Sequence, residues 1–579
     1  MIKKIITRTV NDSLLDLGDD IHTVLKRVYS ARGVASKKEL DMSLSNLLSY
    51  ESLSGIQAAV DIIIEAIFER KSILIVADFD CDGATSCAVA VRALRLLGAQ
   101  TINYLVPNRF EYGYGLTPEI VDVAVSFNPD LLITVDNGIA SVAGVSRAKE
   151  LGMQVIITDH HLQGSELPNA DAIVNPNQKG DEFKSKNLAG VGVIFYVLLA
   201  VRAKLRDVGW FEKNNMEIPN LAGLLDLVAL GTVADIVPLD ANNRILVEQG
   251  LRRIRGGHAC AGIDALLEIS KRRTDKVVAS DMGFAIGPRL NAAGRLEDMS
   301  VGIECLLSDS PQHAKKLAIK LDSLNQERKA IENDMRDQAF LILDSIQKKT
   351  QEADVPVAIC LYDESWHQGV IGILASRVKE RFNRPVIIFA EGLDGEIKGS
   401  ARSINGVHIR DVLDAIATQH KGLIKKFGGH AMAAGLSIEK NMFEQFTSAF
   451  KDEVTRWVNQ DDLQGYIATD GELDSQYLSL ELASLLRHSG PWGQGFPEPV
   501  FEGDFIVLQQ RIVGERHLKM LLQTLDGAEQ IDAIAFNAVD SLCPENNDKI
   551  KIVYNLDVNE FRGNTNLQFM VNYIEVYPR

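Results

Sequence analysis

Ile73-Leu-Ile-Val-Ala77 is a short apolar run that empties directly into Asp78-Phe-Asp-Cys-Asp-Gly83. A continuous apolar run of this length reads as a strand buried on both faces, and such strands belong to parallel sheets covered by helices. Three alternating carboxylates at its mouth, Asp78, Asp80 and Asp82, repel one another unless a cation neutralises them. Hard oxygen ligands favour Mg²⁺ or Mn²⁺ over zinc. Gly83 can supply a tight turn, and a helical pattern follows over 84–97. The same letters open an EF-hand calcium loop, but that loop needs a bidentate Glu where this chain has Val89, and a helix where it has a strand. A solvated acidic turn is the other alternative. It is common for one Asp and uncommon for three aimed out of an apolar strand.

A chain of 579 residues is too long for one core, and three or four domains are expected. Hydrophobic content of 46% and charged content of 24% are ordinary for globular protein. The start, Met1-Ile-Lys-Lys-Ile-Ile-Thr-Arg8, lacks the apolar core of a signal peptide. The longest apolar run, over 188–201, is too short to span a bilayer and reads as a buried helix. Six cysteines, at 81, 87, 260, 305, 360 and 543, show no CxxC spacing, so neither a disulfide framework nor a zinc site is indicated. The expected compartment is the cytoplasm, with no membrane partner. The net charge of −17 argues against a sequence-independent coat on duplex DNA, yet leaves room for a locally basic groove.

After a mixed, helix-flavoured N-terminal segment, strand and helix patterns alternate. Residues 102–107, 131–135, 155–158 and 172–174 read as short buried strands, with helical stretches such as 141–151 between them. Polar residues sit at the ends of four successive strands: Asp78, Asp80 and Asp82 after the first, Arg109 after the second, Asp136 after the third, and Asp159-His160-His161 after the fourth. In open α/β sheets the site lies at the carboxyl ends of the strands, so these residues should converge on one edge. A lone Asp136 would be an ordinary turn residue, and a lone His160 a surface histidine; convergence changes that. Asp235 closes the apolar run 226–235, and a buried carboxylate needs a partner. A salt bridge to Arg244 is the plain reading and a metal the sharper one.

Taken together, Asp78-x-Asp80-x-Asp82, Asp136, Asp159-His160-His161 and Gly231-Thr-Val-Ala-Asp235 resemble the four ordered motifs of the DHH phosphoesterase superfamily. Within it they are most similar to the bacterial exonucleases that degrade single-stranded DNA from its 5′ end. The resemblance covers nearly the whole chain and takes in 188–193, 287–295, 366–372, 398–402 and 428–435, with no departure in the four metal motifs. It implies a multidomain α/β protein in five parts. These are an N-terminal segment (1–50), a parallel-sheet DHH domain (51–310), a linking helix (311–350), a DHH-associated α/β domain (351–460) and an OB-fold-like nucleic-acid-binding domain (461–579). The residues agree with that order: a charged helical pattern over 311–349, strands at 357–361 and 385–389, and five short strands from 501 onward. Five terminal strands suit an OB-fold, although another small barrel would fit them too. Trp492, Phe496 and Tyr573 could each stack on bases or belong to the core.

The resemblance further implies two-metal phosphodiester hydrolysis with two divalent ions, Mn²⁺ or Mg²⁺. Asp80, Asp82, Asp136, His160 and Asp235 are the expected ligands, with Asp78 touching a metal or standing behind one. His161 is expected on a phosphate oxygen or the leaving group, with Asp159 beside it. Arg109, Arg289, Ser400, Arg402, Gly429 and His430 are candidates for gripping the 5′-terminal phosphate and its neighbour. Gly428-Gly429 could free backbone N–H groups for a phosphate, and Lys421, Lys425 and Lys426 add local positive charge. Single-stranded DNA is the expected substrate, in repair and recombination. A single-strand-binding protein and a helicase are implied as partners, and the chain is expected to be a monomer. Two rivals are an enzyme of short oligonucleotides or pyrophosphate, which the C-terminal strands argue against, and a non-catalytic binding module, which would be expected to lose motif acids.

Overall fold

The computed structural model describes residues 3–10, 17–108, 115–350, 356–393, 395–514, 516–538, 544–561 and 563–577. Its strands, in chain order, begin with β1 (Lys4–Thr7), β2 (Ser72–Ala77), β3 (Thr101–Leu105), β4 (Leu131–Val135), β5 (Gln154–Thr158) and β6 (Ala172–Val174). Next come β7 (Ile359–Tyr362), β8 (Val386–Glu391), β9 (Glu396–Arg402), β10 (Lys426–Gly429), β11 (Ala433–Glu439) and β12 (Tyr466–Thr469). The last five are β13 (Phe501–Val513), β14 (His517–Thr524), β15 (Gln530–Ala535), β16 (Lys549–Phe561) and β17 (Asn564–Val576). The chain divides into two compact units, Arg8–Leu324 with Thr469–Arg579, and Met1–Thr7 with Asn325–Ala468. The division falls inside a continuous helix, Pro311–Thr350, which is the linking helix that the charged pattern predicts.

In the larger unit five strands form a sheet in the order β3-β2-β4-β5-β6. Every pairing in it is parallel. The apolar run 73–77 is buried on both faces, as its lack of alternation requires. Ile73, Ile75 and Ala77 join the main core with the helices Ile56–Phe68, Cys81–Leu97 and Gly190–Asp207. Leu74 and Val76 point the other way, into a second cluster with Ile120, Val121 and Val145. The chain leaves β2 for β3 on one side and returns to β4 on the other. The carboxyl ends of β2 and β4 therefore flank a topological switch point, where α/β sheets open a crevice. Register does the rest: Ala77 lies opposite Val135, and Val135 opposite Thr158. The next residues of three adjacent strands, Asp78, Asp136 and Asp159, thus emerge side by side.

The C-terminal strands close into a barrel, β13-β14-β15-β17-β16, antiparallel except for the β15–β17 pair. This is the OB-type closure, filled by Phe501, Phe505, Met520, Ile552, Tyr554 and Phe569. Trp492 and Phe496 are core, stacked on each other at 5.1 Å and each stacked with Tyr29 from the N-terminal segment. That removes both from the list of possible base-stacking groups. Asp470 ties the same region down, accepting two N–H bonds from Arg32 at 2.8 and 3.0 Å.

The smaller unit holds a mixed sheet, β10-β11-β9-β8-β7, in which only β7 and β8 are parallel among its pairings. Helices Ile409–Gln419 and Phe443–Trp457 cover it. The N-terminal segment contributes β1, which pairs with β12, where composition suggested helix. A short strand that borrows its partner from 460 residues away leaves no local signal. Among the described residues no helix is long and apolar enough to cross a membrane.

Candidate metal centre

Asp80 is the N-cap of the helix Cys81–Leu97: its Oδ1 accepts from the N–H groups of Asp82 and Gly83 at 2.9 and 3.0 Å. Capping of this kind is ordinary for Asp, and it fixes the carboxylate at the strand mouth. Gly83 proves to be helical rather than a turn residue, which corrects the sequence reading. It is glycine because a Cβ there would lie 2.3 Å from the Asp78 carbonyl oxygen. Asp82 is fully buried and points at the start of the helix Gly190–Asp207, accepting from Gly190 N–H at 2.6 Å and Val191 N–H at 2.9 Å. A helix N-terminus favours that negative charge. Gly190 also has to be bare, since a Cβ would meet the Asp136 Cβ at 2.5 Å.

Asp136 has φ +62°, left-handed backbone that a non-glycine residue adopts at a cost, and its side chain is buried. Asn137 holds that turn by donating to the carbonyls of Val76 and Val135. His160 Nε2 lies 3.1 Å from Asp136 Oδ1, 3.5 Å from Asp235 Oδ2 and 4.0 Å from Asp82 Oδ2. Asp235 follows the helix Leu225–Ala234, and its neighbour is His160 rather than Arg244. Arg244 lies over the Phe496 ring and donates to the Leu239 carbonyl, so the salt-bridge reading of Asp235 is set aside.

Asp159 does a different job. Its Oδ1 accepts from His161 Nδ1 at 2.7 Å and from the His160 and His161 backbone N–H groups, while Oδ2 accepts from Ile139 N–H. The carboxylate orients His161 and the loop. Asn175 and Asn177, after β6, donate to the carbonyls of His161 and His160 and hold the pair from behind.

The electrostatics follow from burial and crowding. Burial, then the charge of Asp80, pushes Asp82 up to about 7, against the pull of Val191 and Gly190. Burial and the charges of Asp82 and Asp80 raise Asp136 and Asp235 well above the usual carboxylate range. Burial would also raise Asp159, but the hydrogen bond and charge of His161 hold it low. Burial disfavours a charged His161, yet the same Asp159 lifts its ring to about 9. Among the described residues three overlapping sets of donor atoms each lie within 4.8 Å: Asp78, Asp80 and Asp136; Asp82, His160 and Asp235; Asp136, His160 and His161. Crowded carboxylate oxygens with one or two imidazole nitrogens are the donor chemistry of Mn²⁺ and Mg²⁺.

Of the proposed phosphate grips, Arg109 lies outside the described residues. Arg289 is held by Asp322, through Nε and Nη2 at 2.8 Å, and donates Nη1 to the Ala285 carbonyl at 2.6 Å. That makes it first a pin for the turn before it. In the smaller unit Ser400 and Arg402 share one face of β9, and Arg402 Nη1 lies 3.2 Å from Ser400 Oγ. A Cβ on Gly372, in the first turn of the helix Ile371–Phe382, would sit 3.0 Å from both side chains. Arg402 is partly buried, and burial lowers its pKa. Gly428 and Gly429 belong to the edge strand β10, with His430 following; His430 N–H donates to the Ala433 carbonyl. Lys425 pairs with Glu396 and Glu439, so it is not the spare cation the sequence suggested.

Three family models match the chain: the DHH family N-terminal domain over residues 72–232, the DHHA1 domain over 354–458 and the RecJ OB domain over 469–573. The single-stranded-DNA-specific exonuclease RecJ of Salmonella typhimurium is 54% identical over 569 residues, 98% of each chain. The chain belongs to the RecJ family. Two crystal structures of Thermus thermophilus RecJ share this fold over 100% of the present chain. The Mn²⁺ complex gives a TM-score of 0.79 at 28% identity over 79% of its own length. The Mg²⁺ complex gives 0.74 at 26% over 78%. For a RecJ-family chain, the sequence motifs had located the acids. They had not located Gly190, Asn137, Asn175, Asn177 or Asn291, whose Oδ1 accepts from Cys81 N–H at 2.8 Å. Gly190 and Asn291 lie inside the glycine-rich stretches 188–193 and 287–295, and Asn137 directly follows Asp136, but none of these positions announces its role in the sequence.

Proposed function

We propose that this chain hydrolyses single-stranded DNA from the 5′ end to mononucleotides, using two divalent cations, Mn²⁺ or Mg²⁺, in DNA repair and recombination. The observation that carries the reading is the chain of donor sets linked through Asp136 and His160, which suits two neighbouring cations better than one. Asp78, Asp80 and Asp136 would hold one, and Asp82, His160 and Asp235 the other. Bound there, two divalent ions would neutralise the scissile phosphate and lower the pKa of an attacking water.

The protein's own groups do the positioning. His161 has its Nδ1 committed to Asp159, which leaves Nε2 as the edge able to donate to a phosphate oxygen. The raised basicity of the ring keeps that donor charged. Asp159 is the positioning residue behind it. In the smaller unit Arg402 and Ser400, beside the first turn of the helix Ile371–Phe382, make a phosphate-binding pair. We assign them the 5′-terminal phosphate. Single-strand preference follows if the phosphates and stacked bases of one strand satisfy these groups, which read no sequence. A single-strand-binding protein and a helicase would be natural suppliers of such a strand.

The test uses 5′- and 3′-labelled single-stranded DNA and a matching blunt duplex, with Mn²⁺, Mg²⁺ or EDTA, beside Asp136→Ala. Metal-dependent release of labelled mononucleotide from the 5′ end of single strands, absent in the variant, is the expected result. Binding without cleavage under every metal would sink the hydrolase reading. Release from the 3′ end would sink the polarity.

A further inference from the structure

Phe284 is 82% exposed, while its neighbours Met282, Ala285 and Ile286 are buried. An exposed phenylalanine alone means little. This one sits on a single π-helical turn, Met282–Ile286. Such insertions are uncommon and concentrate at functional sites, because the extra residue pushes one side chain out of the helical row. The turn is tied down at one carbonyl, with Arg289 donating to the Ala285 carbonyl at 2.6 Å and pairing with Asp322.

Its placement is the second observation. The turn packs against the end of the helix Leu225–Ala234: a Cβ on Gly283 would lie 3.4 Å from Val233, and one on Gly287 3.3 Å from Ala234. The next residue along that helix is the proposed ligand Asp235. After it comes Ile236, 68% exposed and at φ +61°, a conformation that a β-branched side chain rarely tolerates. Two apolar side chains are therefore held out into solvent, Ile236 next to the proposed ligand Asp235 and Phe284 on the turn packed against the same helix end. On its other side Phe284 lines a groove of about 510 Å³ whose far wall is the β-barrel. Arg272 in that groove pairs with Asp281, and Arg487 with Asp557, beside the amides of Asn555 and Asn572. Paired charges suit a phosphate backbone poorly. They suit base edges well, since every base offers both donors and acceptors.

We propose that Phe284 is a base-stacking residue that takes the single strand beside the metal centre and turns its bases into the groove along the barrel. The inference rests on the nuclease reading above and adds a positioning residue to it. Stacking is indifferent to base identity, as an enzyme that degrades any sequence needs.

The experiment compares the full chain with Phe284→Ala, Phe284→Leu and Phe284→Trp on a 5′-phosphorylated single-stranded 12-mer carrying 2-aminopurine at successive positions. Phe284→Ala is expected to raise KM about tenfold, the range of one base–aromatic stack, with kcat within about twofold. It should also abolish the quenching of 2-aminopurine at one or two positions. Phe284→Trp should restore both readouts, and Phe284→Leu neither. Unchanged KM and quenching in Phe284→Ala would overturn the proposal, as would full rescue by Leu, which would mark a merely apolar contact. If the unaltered chain fails to degrade the 12-mer, the nuclease reading itself falls. If it degrades the 12-mer and Phe284→Ala does so equally well, only this inference does.

Discussion

Asp136→Asn separates the two states of the site. In EDTA the variant should be at least as stable as the parent. Asp136 is 2% exposed at φ +62°, and burial and the charges of Asp82, Asp80 and Asp78 raise its pKa. Asparagine keeps the shape, drops the charge and tolerates left-handed backbone better than most residues. A folded-state pKa raised above the unfolded value means that the native chain holds its proton more tightly, so the parent loses stability as pH rises. The gap in favour of the variant should therefore widen as pH climbs above the ordinary carboxylate range. Divalent metal reverses the order. At a free concentration 100 times Kd, a ligand of the native state stabilises it by about 2.7 kcal/mol. The larger unit, Arg8–Leu324 with Thr469–Arg579, unfolds with an entropy of about 0.9 kcal/mol/K at about 2.1 cal/mol/K per residue, so the parent should melt about 3 °C higher at that Mn²⁺ concentration. The variant should shift by less than half as much, and hydrolysis should fall at least about 100-fold. Melting curves in EDTA and in a Mn²⁺ series, at three pH values, read all of this. A variant that melts below the parent in EDTA, or that keeps the full Mn²⁺ shift, would refute the reasoning.

Three further outcomes are expected. Asp470→Ala strands the buried Arg32 guanidinium and should destabilise its region by about 3–5 kcal/mol, read as hydrogen exchange in the helix Thr23–Ser30 at least about 150-fold faster. The paired change Arg32→Met with Asp470→Leu should recover most of that loss, and an equal loss in the pair would contradict the assignment. Gly190→Ala forces a methyl against Asp136 and should cut metal-dependent hydrolysis at least about tenfold while helix content by circular dichroism stays unchanged. Arg402→Lys loses the forked donor and should lower kcat/KM about 10- to 100-fold on 5′-phosphorylated single strands but little on 5′-hydroxyl ones. Equal losses on both ends would remove Arg402 from the terminal phosphate.

The sheet and its acids were legible because both are properties of short stretches. The runs 73–77 and 131–135 are apolar without alternation, which buried parallel strands demand, and each ends on the acid it delivers. The five short strands read from 501 onward are the five that close the barrel. What stayed hidden depends on distant segments meeting. Gly190 is required only because Asp136 arrives beside it, and β1 is a strand only because β12 is there to pair with it. Arg289 and Lys425 looked like free cations, since sequence shows a charge but not the carboxylate that meets it. Phe284 is hidden for the opposite reason: an isolated phenylalanine in an apolar stretch reads as core, and the π-turn puts it outside.

The way the acids are held explains why the site needs a cation. Asp80 is held by the N–H groups of its own helix, Asp82 by those of Gly190 and Val191, and Asp159 by three backbone N–H groups and the His161 ring. Backbone dipoles fix direction and offset only part of a charge, so each carboxylate is aimed while much of the repulsion among them survives. A set of lysines would have neutralised the same acids and closed the site. Dipoles leave the oxygens converging, and burial together with the neighbouring carboxylates raises Asp136 and Asp235 well above the usual range. The strained backbone at Asp136 belongs to the same arrangement, since φ +62° is what turns that carboxylate across the sheet edge toward His160. Folding this unit therefore stores an unfavourable electrostatic term at one point, and binding of a divalent metal there, as proposed above, would release it.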